Sequence, residues 1–500
     1  MTDNLDFRTV PVSDIAQFDD EFDVVVIGFG GAGGAAALEA ARAGATVALY
    51  ERASGPGGST GMSSCEMYLG GSGGTRLQQA LNYTDSTDNF INYLKYSLGE
   101  RGDPEKIHCY AEGAAAHFDW VESLGVTYKE AVMLDREVVP LSDESLLFTG
   151  NERTLEFKSV CDPVPRGHVP SHEGDFGGKI FIDALEQAVT AAGVTVQYDT
   201  RALHLIADEQ GEVVGVVMKR DNTLLNLRAK RGVVLASGGF IMNDDMRARY
   251  LPEVYTWGSP YGNPYDMGDG IRLGEAAGGY TINMDEAFLS LPTYPPSKTT
   301  FGILLNNQGK RFVNEDAYLA RLGHYVAQQS EQKAYLLLDA DHYDHPMYLE
   351  RLDIVATGET IEELATEAVG FPAGAIQQSV TDYNYSANKG QDSEFGKAPE
   401  WLSPLTEGPF ALLDLSFDRQ TAVIMPGTTG PLAFSLGGLD TLPTGEVKRP
   451  SGGVVPGLYA AGRVTAGLPR SSKGYASGLS VGDATFFGRK AGQSAARRKL

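Results

Sequence analysis

An α/β fold in two parts, a parallel sheet interrupted by an inserted α+β unit, is predicted by three features of this sequence. A β-branched run, Val24 to Ile27, leads straight into Gly28, Gly30 and Gly33. Two more apolar runs end in glycines, at Gly232 to Phe240 and at Gly457 to Gly462. Between these two, from about Tyr280 to Gly445, proline, tyrosine and threonine cluster, as in Leu291-Pro292-Thr293-Tyr294-Pro295-Pro296. Continuous apolar runs suit strands buried on both faces. The expected division is 1–279, an inserted unit at 280–445, and a return segment at 446–500.

The opening unit carries the most information. Gly28-Phe29-Gly30-Gly31-Ala32-Gly33 supplies GxGxxG directly after a strand. The first glycine permits a tight turn, the second lets a pyrophosphate approach the backbone, and the third lets the next helix pack on the sheet. An alanine-rich helix, Ala35 to Ala43, and a second strand, Thr46 to Tyr50, deliver Glu51, 23 residues past Gly28. A carboxylate there suits a ribose hydroxyl. Strand, glycines, helix, strand and acid in this order predict a Rossmann-type unit holding an ADP-containing dinucleotide. The turn-rich loop Ser54 to Gly61 follows, with many backbone N–H groups to wrap a cofactor.

Further along, Thr87 to Ser97 and Pro104 to Leu124 carry apolar residues at helical spacing. Ile180 to Ala192 predicts an amphipathic helix and Val194 to Gln197 a strand. Ala202 to Ile206 and Val213 to Lys219 predict antiparallel strands around Glu209-Gln210-Gly211. A hairpin is expected from Ile303 to Leu305 and Arg311 to Val313, around Asn306-Asn307-Gln308-Gly309. Gly478 to Arg489 predicts a helix that starts at glycines.

Composition narrows the class. The chain's 500 residues exceed one ordinary core. A formal net charge of -24 argues against nucleic acid or anionic membrane surfaces as partners. Residues 1–21 are polar and acidic, and no run approaches the ~18 apolar residues that span a bilayer. The sequence therefore predicts a cytoplasmic protein without a membrane span. Cys65, Cys109 and Cys161 are widely spaced and form no CxxC. That fits a reducing compartment, not a disulfide framework or a zinc site. His168 and His172 lie i,i+4, but Pro170 between them argues against a helical metal pair. No metal site is expected.

A nicotinamide dehydrogenase normally completes its fingerprint within one sheet. A glycine-ended strand returning far downstream suits a cofactor longer than its ADP half. A helix starting at Gly478 to Gly482 would present N–H groups to a flavin's pyrimidine carbonyls and stabilise negative charge there.

Five segments, DVVVIGFGGAGGAAALEAARAGATVALYER, GVVLASGGF, DMGDGIRLGEAAGG, GKRFVNED and GLYAAGRVTAG, occur in this order. They resemble the FAD-dependent fumarate reductase/succinate dehydrogenase flavoprotein superfamily over nearly the whole chain. The resemblance implies non-covalent FAD in a Rossmann-type FAD-binding domain, a capping domain inserted into it, and substrate held where the two meet. It also implies adenine near Ala202 and phosphates near Gly238. The cofactor-binding candidates are then Gly28, Gly30, Gly31, Ala32, Gly33, Glu51, Arg52, Gly58, Ser59, Thr60, Ala202, Ser237, Gly238, Asp269, Gly462, Arg463, Gly478, Leu479 and Ser480. Arg463 departs from the family, which usually carries an acid after Ala-Ala-Gly.

Within that superfamily, dicarboxylate reductases carry a His before Met-Gly-Gly and an Arg-rich segment near the C-terminus. Here Phe434-Ser435-Leu436-Gly437-Gly438-Leu439 has no His, and Pro469 to Gly478 offers one Arg and one Lys. A dicarboxylate needs bidentate arginine clamps. Phenols suit an uncharged, hydrophobic ketone instead. A Tyr O–H can donate to the ketone oxygen and stabilise the enolate formed as an α-proton leaves. This combination resembles the 3-ketosteroid dehydrogenases, and Tyr475-Ala476-Ser477-Gly478 resembles their Δ4-(5α) members more than the Δ1 enzymes. The resemblance assigns Tyr475 to the C3 carbonyl, Ser477 to the C4 proton and Tyr318 to a relay, with the C5 hydride going to FAD. Two alternatives stay open at this point. One is a Δ1-dehydrogenase or an enoyl reductase of another unsaturated substrate. The other is a flavin-binding electron-relay module, although no cysteine cluster for iron–sulfur ligation is present. Ser477 also reads as a helix N-cap. No second nicotinamide site is legible, which leaves the electron acceptor open between a quinone, a carrier protein and oxygen.

Overall fold

The computed structural model describes residues 6–136, 142–173, 176–291, 297–344, 353–418 and 431–499. The proline-rich residues 292–296 lie outside them. In strand Asp20–Ile27, Val24, Val25 and Val26 are fully buried, so neither face meets water. This strand pairs in parallel with Val47–Tyr50 on one side and with residues 227–235 of Thr223–Leu235 on the other. Thr195–Gln197 extends the sheet beyond Val47–Tyr50. The antiparallel strands Thr200–Ala207 and Val213–Arg220 continue it past Thr223–Leu235, and Thr9–Pro11 ends it.

The return strand Val454–Ala460 joins the same sheet, in parallel register Val233↔Leu458. Thr223–Leu235 thus pairs with Val213–Arg220 along its first half and with the return strand along its last residues. Gly232 stands at the change, with φ at +150°; an added Cβ would lie 2.7 Å from Gly457 O.

Helix Gly31–Arg42 begins at the fingerprint glycines themselves, earlier than the alanine run suggests. It packs in parallel along the last helix, Leu479–Arg497, which runs past the predicted end at Arg489. Small residues let the two axes close in. An added Cβ on Gly488 would stand 2.4 Å from Ala32 O, and one on Gly492 would stand 2.0 Å from Ala36 O.

A second sheet is antiparallel, in the order Ile303–Leu305, Tyr335–Leu338, Phe410–Asp414, Ile354–Gly358. Helices Ile361–Glu367 and Ala375–Asn388 accompany it, and Ile303, Leu337, Leu364, Ile376, Val380 and Leu412 form a separate apolar cluster there. The expected hairpin at 303–313 closes at its turn, where the Asn306 N–H donates to Lys310 O at 2.9 Å, but it does not extend into a ladder. Among the described residues a single bridge, Leu305↔Arg311, joins its two halves, and Ile303–Leu305 pairs with Tyr335–Leu338. Arg311 turns inward, 2.9 Å from Glu315 and 3.0 Å from Asp392. A buried guanidinium between two carboxylates fixes this segment in place of ladder bonds. Asp316 then accepts from Asn314 Nδ2 at 2.8 Å and from the Ala398 N–H at 3.0 Å. The segment so anchored carries Tyr318 to the start of helix Leu319–Ala327.

Ser259–Pro260, Leu432–Ser435 and Ala287–Leu289 make a small third sheet, in which Phe288 and Phe434 are register partners. No helix among the described residues is long and apolar enough to cross a membrane.

Candidate active site

The parallel strands end at a cleft of about 1350 Å³, counted to its open mouth, with Ile27, Tyr50 and Ala236 on its wall. This is where an open α/β sheet binds ligands. Gly28 turns the chain there with φ at +102°, and an added Cβ would stand 2.5 Å from Ala236 O. Gly33 lets the helix sit down on that turn: its added Cβ would lie 1.8 Å from Gly28 O. Gly30 faces open space, with nothing nearer to an added Cβ than Gly57 O at 3.8 Å. The glycines thus leave a cradle of the size and N–H character that a diphosphate needs.

Glu51 lies at one end of the cleft. Its Oε2 accepts from the Phe29 N–H at 2.6 Å and its Oε1 from the Ala53 N–H at 2.7 Å. Burial pushes the carboxyl up, and those N–H bonds oppose the shift. Nearby, Asp269 is met by Arg52 at 3.3 Å, Arg201 at 2.7 Å and Arg272 at 3.2 Å. The Arg52 guanidinium also lies 4.5 Å from the Tyr265 ring centroid. Ser237 Oγ, on the cleft wall, is buried without a hydrogen-bond partner among the described residues. A polar atom left this way calls for a ligand group opposite it. The donor set, the cradle and the orphaned hydroxyl all fit FAD.

Three loops meet along the cleft at Arg463. Its guanidinium donates to Asp266 Oδ2 and to Ser59 Oγ. Ser59 Oγ in turn donates to Asp266 Oδ2 at 2.9 Å and accepts from the Asn263 N–H at 2.9 Å. The Arg463 guanidinium lies 5.3 Å from the Phe434 ring centroid.

The other end is aromatic. Phe288 and Phe434 stack with centroids 4.4 Å apart and planes 4° from parallel. Tyr475 meets both edge-on, at 4.8 Å and 5.7 Å. Tyr318 lies beside Tyr475, centroids 6.4 Å apart. Burial raises the Tyr475 phenol to about 12, so it is a neutral donor at neutral pH. Its hydroxyl reaches Ser480 Oγ at 2.8 Å. Arg470, from the same loop, points elsewhere: Nε donates to Gly467 O at 2.7 Å and Nη2 lies 3.9 Å from Asp103.

Of the sequence candidates, Gly28, Gly30, Gly31, Ala32, Glu51, Arg52, Gly58, Ser59, Thr60, Ala202, Ser237, Gly238, Asp269, Gly462, Arg463, Ser480 and Tyr475 line this cleft. Gly33, Gly478, Leu479, Tyr318 and Ser477 do not. Ser477 is half-buried and tied by its backbone to Thr149, through its N–H at 2.9 Å and its carbonyl at 3.3 Å. It is not the helix cap. Gly478 takes that position in a left-handed conformation, with no side-chain cap. Sequence reasoning missed Asp266 and Phe288. Asp266 opens the segment DMGDGIRLGEAAGG, three residues before Asp269, but only the meeting of separate loops gives it a partner.

A parallel sheet, a glycine cradle and a buried carboxylate at Glu51, with a return strand beside them, match the class of flavin-dependent oxidoreductases. A family model described as FAD binding domain matches residues 23–479, and the chain belongs to that family. It is 37% identical to 3-ketosteroid-Δ4-(5α)-dehydrogenase from Rhodococcus jostii RHA1, solved in complex with 4-androstene-3,17-dione. That similarity covers 98% of this chain and 100% of the other, with a TM-score of 0.90. A 3-oxo-5-alpha-steroid 4-dehydrogenase of Comamonas testosteroni is 26% identical over 90% of this chain and 94% of its own. Probable fumarate reductase Ifc3 of Shewanella frigidimarina (strain NCIMB 400) is 27% identical, over 95% and 75%. The protein is an FAD-dependent oxidoreductase acting on CH–CH groups, of the fumarate reductase/steroid dehydrogenase kind.

Proposed function

We propose that the protein introduces the C4–C5 double bond into 5α-reduced 3-ketosteroids. One observation carries this reading: Tyr475 stands among Phe288, Phe434 and Tyr318, while Arg470 is held away from them at Gly467 O and Asp103. An apolar, phenol-bearing site binds a hydrophobic ketone and lacks the paired guanidinium groups a dicarboxylate requires. The steroid complex of the 37% identical structure supports the same substrate class.

In this reading Tyr475, a neutral phenol, donates to the C3 carbonyl oxygen and stabilises negative charge on it as the C4 proton leaves. Ser477 receives that proton as its own hydroxyl proton moves to Tyr318, which in turn gives one up to water, so neither side chain changes its net charge. Bound FAD supplies the acceptor for the C5 hydride. The Rossmann-type parts at 1–279 and 446–500 hold the cofactor, and the capping part at 280–445 covers the substrate. The separate apolar cluster around Leu337 and Leu412 supports that division.

Anaerobic titration of the holoprotein with 5α-androstane-3,17-dione tests this. The flavin absorbance should bleach, with 4-androstene-3,17-dione as product. A Δ1 product, or bleaching by succinate and not by the ketone, overturns the assignment. Ser477→Ala should lower the rate about 10²-fold, the scale of a lost proton acceptor, and should slow exchange of the C4 proton with solvent.

A further inference from the structure

Arg463 sits between the two halves of the cleft. On one side it contacts Ser59 of the glycine-rich loop and Asp266 of the loop before helix Asp269–Ala276. On the other it faces Phe434, which stacks on Phe288 and meets Tyr475 edge-on. Carboxylate, hydroxyl and ring fix the guanidinium on three sides. Its side chain is 17% exposed and that of Asp266 is 5% exposed. Charges so shielded act over longer distances than charges in water. The field of Arg463 reaches Tyr475, where it works against the effect of burial on the phenol. An arginine stays ionised throughout the working pH range. The charge is therefore permanent, oriented before substrate arrives, and felt at the aromatic end.

An FAD with its ADP half at Glu51 and the glycine cradle would extend its isoalloxazine along the same cleft, which Arg463, Tyr475 and Ser480 also line. Reduction of FAD by two electrons and one proton adds one negative charge to it. A fixed guanidinium nearby stabilises that charge, and a carboxylate destabilises it. We propose that Arg463 and Asp266 set the reduction potential of bound FAD in opposite directions. Arg463 raises it and so favours electron flow from a saturated donor into the cofactor. Asp266 holds the guanidinium in place and offsets part of its charge. The proposal rests on FAD lying along the cleft and not on the steroid assignment, so a potential measured without steroid separates the two.

The holoprotein and the variants Arg463→Gln, Arg463→Lys and Asp266→Asn are reduced slowly with xanthine and xanthine oxidase at pH 7 beside a reference dye. Two electrons pass from xanthine to FAD and dye, and protons come from the buffer. Arg463→Gln should shift the reduction equilibrium about tenfold toward oxidised FAD, ~30 mV more negative for a two-electron couple. Asp266→Asn should shift it the other way. Arg463→Lys keeps the charge and should stay close to the parent. Unchanged potentials, or shifts of the same sign in Arg463→Gln and Asp266→Asn, overturn the proposal. Weaker FAD retention at an unchanged potential also overturns it and leaves Arg463 a binding clasp. Should Arg463→Gln release FAD, Asp266→Asn still decides: no rise in its potential overturns the proposal.

Discussion

The Tyr475 and Ser480 hydroxyls are hydrogen-bonded at 2.8 Å, so the phenol at the aromatic end of the cleft is held by the first turn of helix Leu479–Arg497. The neighbouring serine, Ser477, belongs to a different set of contacts, with Thr149. In the proposed reaction, Tyr475→Phe removes the donor to the developing negative charge. It should lower kcat about 10²- to 10³-fold and leave FAD bound, as the flavin spectrum would report. Ser480→Ala should keep most of the rate, because the phenol remains and loses only its partner. Equal losses in both variants would make the serine the acting group.

Acid should destabilise the fold before it titrates most carboxylates. Burial pulls His168 and His324 down to about 4, and holds His117 well below its usual value. His168 explains itself: Nδ1 faces Arg166 O at 2.7 Å, an acceptor only, so Nδ1 carries the proton and Nε2 accepts from Thr75 Oγ1 at 2.8 Å. A depressed histidine contributes stability that is present above the unfolded value near 6.5. That stability is lost as pH falls from about 6.5 to about 4, where the loss is complete. Thermal unfolding followed from pH 7 to pH 4 should show a loss on the order of 2 kcal/mol per buried histidine. His168→Gln should flatten part of that slope.

Asp85 and Arg166 form a bidentate pair, both contacts 2.8 Å, with both side chains fully buried. The guanidinium is flanked by Phe90 and Tyr93, each ring centroid 5.0 Å away. Asp85→Asn leaves that charge without its counterion and should cost about 3–5 kcal/mol in denaturant unfolding. A loss below ~1 kcal/mol would mean that water reaches the site.

Much of this architecture was readable from residue order, and the reasons differ by element. The unit from Val24 to Glu51 was legible because buried strands, glycines and an alanine-rich helix each leave a local signature. The last helix runs to Arg497, beyond its expected end, because Ala491, Gly492 and Ala495 pack as small residues and give no apolar period. The strand partner of Ile303–Leu305 was not legible, since it follows a helix and a turn. Arg470 was visible as a candidate clamp, but its direction depends on Gly467 O and Asp103. Phe288 gains its place only by pairing with Phe434, far along the chain.

Gly33→Ala tests the cradle directly. The new methyl would lie 1.8 Å from Gly28 O, which is backbone and cannot swing aside. Helix Gly31–Arg42 must then lift from its strand, a change of the overpacking kind that costs ~1–3 kcal/mol or more. The purified variant should be colourless or lose FAD on gel filtration, while far-UV circular dichroism keeps its shape. A yellow, fully loaded variant would show that the cradle does not depend on this close approach.

The contact of Gly488 and Gly492 with Ala32 and Ala36 also gives biosynthesis a direction. Helix Gly31–Arg42 of the nucleotide fold leaves the ribosome long before helix Leu479–Arg497, which braces it. Ribosome-stalled chains ending before Gly488 should therefore capture no FAD, and stalled chains extended beyond Arg497 by a linker that clears the exit tunnel should.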